Sequence, residues 1–223
     1  MSNKKIHPLA ILLFLTCLVG FALLTRMAYL QHLSGFDTTI ARDVQRYNFG
    51  VLKPIMKVIS LPGKTVFAAV SILAVAALFW WKKYPREALF ILAIGAVDAL
   101  SLIIKHVVNR SGPQHVGLAF TSTPEATFPS SHVVHYVVFF GLLAYFMLVL
   151  HKVPGKLRSA VSLISIMLII AIPFSRVFLG EHWLSDVVGG LLLGMMALIV
   201  VIWLYSAPWF LPQIKSQSIT ADG

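Results

Sequence analysis

Six stretches of this chain stay apolar for about as long as a helix needs to cross a bilayer, roughly 17 to 25 residues for ~30 Å of hydrocarbon. They run over residues 9–30, 65–81, 88–104, 133–150, 157–177 and 187–205. With 58% hydrophobic and only 12% charged residues in 223, the chain lies outside the composition of ordinary soluble domains. A membrane β-barrel would show short segments of alternating polarity, so continuous runs of this length point to helices. The expected fold is therefore all-α, an integral membrane bundle of six transmembrane helices. An even number of crossings puts both termini on one side.

Lysine and arginine in the short connections set the orientation. Lys4, Lys5, Lys82, Lys83, Arg86, Lys152, Lys156, Arg158 and Lys215 fall on the terminal side, which is read as cytoplasmic. Arg42, Arg46, Lys53, Lys57 and Lys64 lie opposite, but in one long connection, and long connections report topology poorly. The formal net charge of +10 suits anionic lipid headgroups. Nucleic acid is not an expected partner, because the cations are scattered rather than clustered with aromatic platforms on one face. The single cysteine, Cys17, falls within the first apolar run and allows neither a disulfide nor a thiolate metal site within one chain. Lys4 and Lys5 before an apolar run resemble a signal peptide, but the run is long and lacks a small-residue cleavage site, so an uncleaved first helix is expected.

Between the first two spans, Phe36, Ile40, Val44, Tyr47, Val51, Ile55 and Ile59 recur at helical spacing among polar residues. That pattern predicts an amphipathic helical segment lying along the interface, broken at Pro54 and at Leu61-Pro62-Gly63. Residues 111–129, rich in Gly, Pro, Ser and Thr, read as an irregular cap between the third and fourth spans. Trp80, Trp81, Tyr84, Trp203, Tyr205 and Trp209 read as interfacial anchors, and Gly190 and Gly194 as a site of close helix approach. One domain over residues 1–212 and a disordered tail at 213–223 are expected.

Three polar clusters border these spans on the non-cytoplasmic side. In the first, Ser175-Arg176 is followed by His182 and Asp186. If a helix begins at Trp183, the histidine and the carboxylate share one face four residues apart. A carboxylate that accepts one ring N–H leaves the other nitrogen's lone pair free as a nucleophile, and Arg176 offers a planar fork for phosphate oxygens. Alone, such a pair is usually surface or a satisfied core contact.

In the second cluster, Pro129, Ser130 and Ser131 precede a long helix, where unpaired N–H groups and the helix dipole favour an anion, although serines there also serve as plain caps. His132, in the first turn, would face that anion and donate a proton to a departing oxygen. In the third, Lys105 and Arg110 end a span; each alone would be read as snorkelling to headgroups. Together the clusters fit an electrostatic clamp on a transferring phosphoryl group. No carboxylate and histidine spacing resembles a divalent metal site, and Glu181 with Asp186 would make a poor Mg²⁺ cage, so neither metal nor other cofactor is expected. Mid-span Asp98 is expected to face the bundle interior in a structural hydrogen bond, and His135 is left off the catalytic list.

Over residues 36–194 the sequence is similar to the type 2 phosphatidic acid phosphatase superfamily, which also contains vanadium haloperoxidases. The family pattern Ser-Arg-x5-His-x3-Asp is met by Ser175, Arg176, His182 and Asp186. Pro-Ser-x-His is met by Pro129, Ser130 and His132, with Ser131 where glycine is commonest. Lys-x6-Arg-Pro is met only in Lys105 and Pro113, since Gly112 stands in place of the arginine; Arg110, two residues earlier, is the expected substitute. The resemblance implies that His182 attacks phosphorus, Asp186 orients it and His132 protonates the leaving group. Lys105, Arg110, Arg176, Ser130 and the Ser131 backbone would hold the phosphoryl oxygens.

The expected activity is thus metal-free hydrolysis of a lipid phosphate or diphosphate in the cytoplasmic membrane, through a phosphohistidine, with the site on the extracytoplasmic side. A lipid phosphotransferase using the same intermediate, and a non-catalytic binder or transporter of lipid phosphates, are the competing readings.

Overall fold

A computed structural model describes residues 7–46, 50–113 and 126–207. Tyr47, Trp209, Lys4, Lys5, Lys215, residues 114–125 of the expected cap and the tail at 213–223 lie outside them. The helices are α1 (Pro8–Tyr29), α2 (Ser34–Arg46), α3 (Leu52–Ser60), α4 (Thr65–Trp81), α5 (Pro85–Val108), α6 (Ser131–Val149), α7 (Gly155–Phe178) and α8 (Leu184–Ser206), with a 3-10 turn over Leu61–Gly63. Among the described residues, β pairing is confined to an isolated bridge between Ser111 and Ala126.

The helix ends follow from local chemistry. Pro8 and Pro85 sit in first turns, where the missing N–H costs nothing. Asn109 closes α5 in the left-handed conformation at φ 46°, which glycine and asparagine tolerate best. Among the described residues, five helices (α1, α5, α6, α7 and α8) are long and apolar enough to cross a membrane. A sixth candidate crossing is α4, 17 residues long, taken together with Leu52–Gly63, which it joins at a bend of 58°. Breaks at Leu61-Pro62-Gly63 explain that bend. Helices α5, α7 and α8 extend beyond their apolar runs at both ends, whereas α4 coincides with its run and α1 and α6 each stop one residue short at the C-terminal end.

Helix α6 is the centre of the bundle and packs against α5, α7 and α8. It is apolar all round, and Val133, Val134, Tyr136, Val138, Leu142 and Phe146 are fully buried. Near its N-terminal end, α8 comes close because Gly190 has no side chain. A Cβ there would stand 2.8 Å from the Ser130 carbonyl and 2.9 Å from Val133. Gly194 meets Val137 in the same way, so both glycines expected to allow close approach do so against α6. By contrast α1 is peripheral and leaves Leu9, Leu12 and Leu23 turned outward.

The connection between the first two spans is helical, but its apolar stripe is split: Val44 and Ile59 pack against the core, while other members face away from it. Phe36, Val51 and Ile55 point outward, while Asp37, Ala41 and Gln45 of α2 and Met56 and Ser60 of α3 are buried. In lipid the apolar side need not seek the protein, and the buried side is free to carry polar contacts. Tyr205 also departs from expectation. It is 9% exposed, and its hydroxyl donates to Glu87 at 2.6 Å, so it is a packing residue rather than an interfacial anchor.

Candidate active site

The bundle brings the three polar clusters to one end. The Ser130 N–H donates to the Asp186 carbonyl at 3.0 Å, which locks the start of α6 to the first turn of α8. The Lys105 charge at the end of α5 and the Arg176 charge at the end of α7 both act on His132 and on His182.

His182 precedes α8 in the turn that follows Gly180, and it is 4% exposed. Its Nδ1 lies 3.7 Å from Asp186 Oδ2, within ion-pair reach but too long for a hydrogen bond. Burial pushes the imidazole well below its ordinary pKa, and the charges of Arg176 and Lys105 add to this, against an opposing hydrogen bond with the Thr127 backbone. The ring is therefore neutral at physiological pH, the form with a lone pair to offer.

Asp186 is fully buried, at the third position of α8. Its Oδ2 accepts the Trp183 N–H at 3.0 Å, capping the helix. Its Oδ1 is held by Arg110 Nη1 at 2.7 Å, and the same nitrogen donates to Ser185 Oγ at 2.6 Å. Arg110 Nη2 donates to Asp37 Oδ2 at 2.7 Å. Here the structure departs from the sequence reading. Arg110, expected to replace the missing motif arginine on phosphate, is 5% exposed and committed to two carboxylates. Its turn explains why: Asn109 reverses the chain, and the Thr127 N–H then holds the Arg110 carbonyl at 2.8 Å, directing Arg110 inward. Gly112 is packed too tightly for a side chain, since a Cβ would meet Thr127 Cγ2 at 2.7 Å.

Arg176 is also partly committed. One terminal nitrogen donates to Ser60 Oγ and the other to Glu181, while Nε has no partner. Ser130 is fully buried, makes no capping bond and leaves Oγ unpartnered, so it is not a plain cap. Ser131 Oγ instead accepts from Ser101 at 3.1 Å. His132 has an unpartnered, buried Nε2, and its ring lies against Gly63, where a Cβ would stand 2.4 Å from Cδ2. Three unpartnered polar groups, on Ser130, His132 and Arg176, are thus gathered with His182; buried polar atoms left open at one place mark a site for a polar ligand.

A groove of about 420 Å³ runs beside this end between α4 and α5, lined by Gly63, Ala68, Ile72, Leu73, Leu102 and Ser131. Asp98 lines it too, and its Oδ2 accepts from His135 Nδ1 at 2.9 Å. The His135 ring stacks on Phe139. Sequence reasoning missed Asp37 and Ser60. The signal was present at Asp37, Ala41 and Gln45, a four-residue period of small and polar side chains opposite the apolar stripe.

Comparison with known proteins gives the family and the fold. The family model of the PAP2 superfamily matches residues 86–210. The chain is 25% identical over 195 residues to phosphatidylglycerophosphatase B of Bacillus subtilis (strain 168), covering 87% of this chain and 92% of that protein. It is 30% identical over 139 residues to a provisionally named undecaprenyl-diphosphatase of Escherichia coli (strain K12), covering 60% and 65% respectively. The crystal structure of a transmembrane PAP2 type phosphatidylglycerolphosphate phosphatase from Bacillus subtilis superposes with a TM-score of 0.76 at 22% identity, covering 86% of this chain and 94% of that one. That likeness is one of fold.

Proposed function

Since the chain belongs to the PAP2 superfamily and is a multi-pass membrane protein, we propose that it is a lipid phosphatase that hydrolyses a lipid phosphate or diphosphate through a phosphohistidine on His182. The observation that carries this reading is the buried, neutral His182 beside Asp186, in the field of Lys105 and Arg176. With Nδ1 turned to Asp186, the lone pair on Nε2 attacks phosphorus. The bond to the leaving oxygen breaks, and that oxygen takes its proton from His132. Water, giving its proton back to His132, then attacks the phosphohistidine and frees both phosphate and His182. Lys105, the Arg176 Nε, Ser130 Oγ and the Ser131 N–H balance the phosphoryl charge, so the reaction runs without a metal.

The groove between α4 and α5 lets the substrate's tail stay in lipid while its phosphate reaches His132 and His182. The substrate is an isoprenoid diphosphate, phosphatidylglycerophosphate or phosphatidic acid. The site opens on the extracytoplasmic side of the cytoplasmic membrane, with both termini inside, as the basic residues of the short connections favour. The test is phosphate release by purified protein in detergent with EDTA, across a panel of these lipids. Turnover of at least one is expected; no release from any would contradict the reading.

A further inference from the structure

We propose that Asp37, on interfacial helix α2, is a positioning residue for the reaction proposed above: through Arg110 it fixes the Asp186 carboxylate beside His182 and sets the charge of their buried cluster. A carboxylate with no exposure is costly unless it is paired and hydrogen-bonded. Asp37 has a full set of partners. Its Oδ2 accepts from Arg110 Nη2 at 2.7 Å and from the Ser185 hydroxyl, and its Oδ1 accepts the Ser185 N–H at 3.0 Å. Tethering α2 to the bundle would need no more than the two bonds from Ser185. The bond to Arg110 does something else.

Arg110 carries one positive charge between two buried carboxylates, Asp37 and Asp186, so the cluster keeps one negative charge uncompensated. In a site of low dielectric that charge matters most when a cation forms nearby. Attack by His182 Nε2 on phosphorus creates such a cation, because the ring gives up a lone pair while its Nδ1 proton stays. Without Asp37, Arg110 alone would neutralise Asp186, and the cationic ring would face Lys105 and Arg176 uncompensated. Geometry works in the same direction. With Asp37 anchoring Nη2, Nη1 is held on Asp186 Oδ1, and Oδ2 is left for the Trp183 N–H and the imidazole.

The proposal depends on the phosphohistidine reading, and a single set of variants separates the two. If His182→Ala retains activity, the reading of the site fails before Asp37 is at issue. With that control inactive, Asp37→Asn is expected to lower kcat by about tenfold to a hundredfold with KM within about twofold. The acid limb of its kcat/KM profile should move to lower pH, because the negative charge behind Arg110 has been removed, leaving His182 with Asp186 as its facing anion against the cations Arg176 and Lys105. In an Asp186→Asn background the same substitution should add less than about twofold, since it acts through that carboxylate. Unchanged kcat and pH profile in Asp37→Asn, or full multiplication onto Asp186→Asn, would overturn the proposal in favour of a mere anchor. Should Asp37→Asn not fold, Asp37→Glu decides instead: a displaced charge lowers kcat and shifts the acid limb, whereas wild-type kinetics would reject the role.

Discussion

Two buried clusters of charge stand at opposite ends of the bundle, and they are built differently. At the end away from the site, Arg86 and Glu87 are neighbours in sequence and both turn to one residue of α8. The Tyr205 hydroxyl donates to Glu87 at 2.6 Å, its carbonyl accepts from Arg86, and its ring lies 4.1 Å from the guanidinium. One cation and one anion share Tyr205 as partner, and apart from Arg86 Nε none of their buried side-chain polar atoms is left open. At the site end one guanidinium serves two carboxylates from helices far apart in sequence, and beside them Ser130, His132 and His182 keep unpartnered atoms. A cluster that only holds helices together can close on itself. One that is to receive a phosphate keeps polar atoms open, and the packing of Gly190 against α6 holds them in place.

The sharpest way to break this comparison is His182→Ala. It removes a buried ring that leaves Nδ1 unpartnered and is held by the Thr127 backbone, so stability should fall by only about 1–2 kcal/mol while phosphate release falls by about a thousandfold or more. Arg110→Gln should cost the most stability, about 3–5 kcal/mol, because it strands two buried carboxylates; denaturation in detergent measures it. At the end away from the site, Tyr205→Phe leaves the Glu87 carboxylate without its donor and should cost about 1–3 kcal/mol with kcat unaffected. A fall in kcat equal to that of the site-end variants would erase the distinction between the clusters. The subtlest expectation concerns pH. His182 must be neutral to attack, and its pKa is held low, so kcat/KM should stay level as pH falls through about 6.5 and decline only below it.

Much of this was legible in the chain. Apolar run length gave the six crossings, and the small-residue spacing at Gly190 and Gly194 gave the α6 to α8 approach. The three polar clusters were recognisable because each lies within a few residues of a helix end. Other parts were not, for physical reasons. The stripe of Phe36, Ile40, Val44 and Val51 signals α2 and α3 but not one buried face: Phe36 and Val51 turn outward, Val44 packs inward, and the buried polar residues Asp37 and Ser60 are the ones that reach the site. Arg110 could be identified as a cation near phosphate, but its partners depend on the left-handed turn at Asn109 and on a carboxylate 73 residues away. The bend between α3 and α4 was visible as a break, though not as the contact that seats His132 on Gly63.

The most direct measurement of the central claim is to quench the enzyme at alkaline pH during turnover of a phosphate-labelled lipid and map the label by peptide mass spectrometry. The account requires phosphate on His182, formed and lost at least as fast as turnover and missing from Asp186→Asn or greatly slowed there. Full turnover with no label on His182, or with label on another side chain, would contradict it.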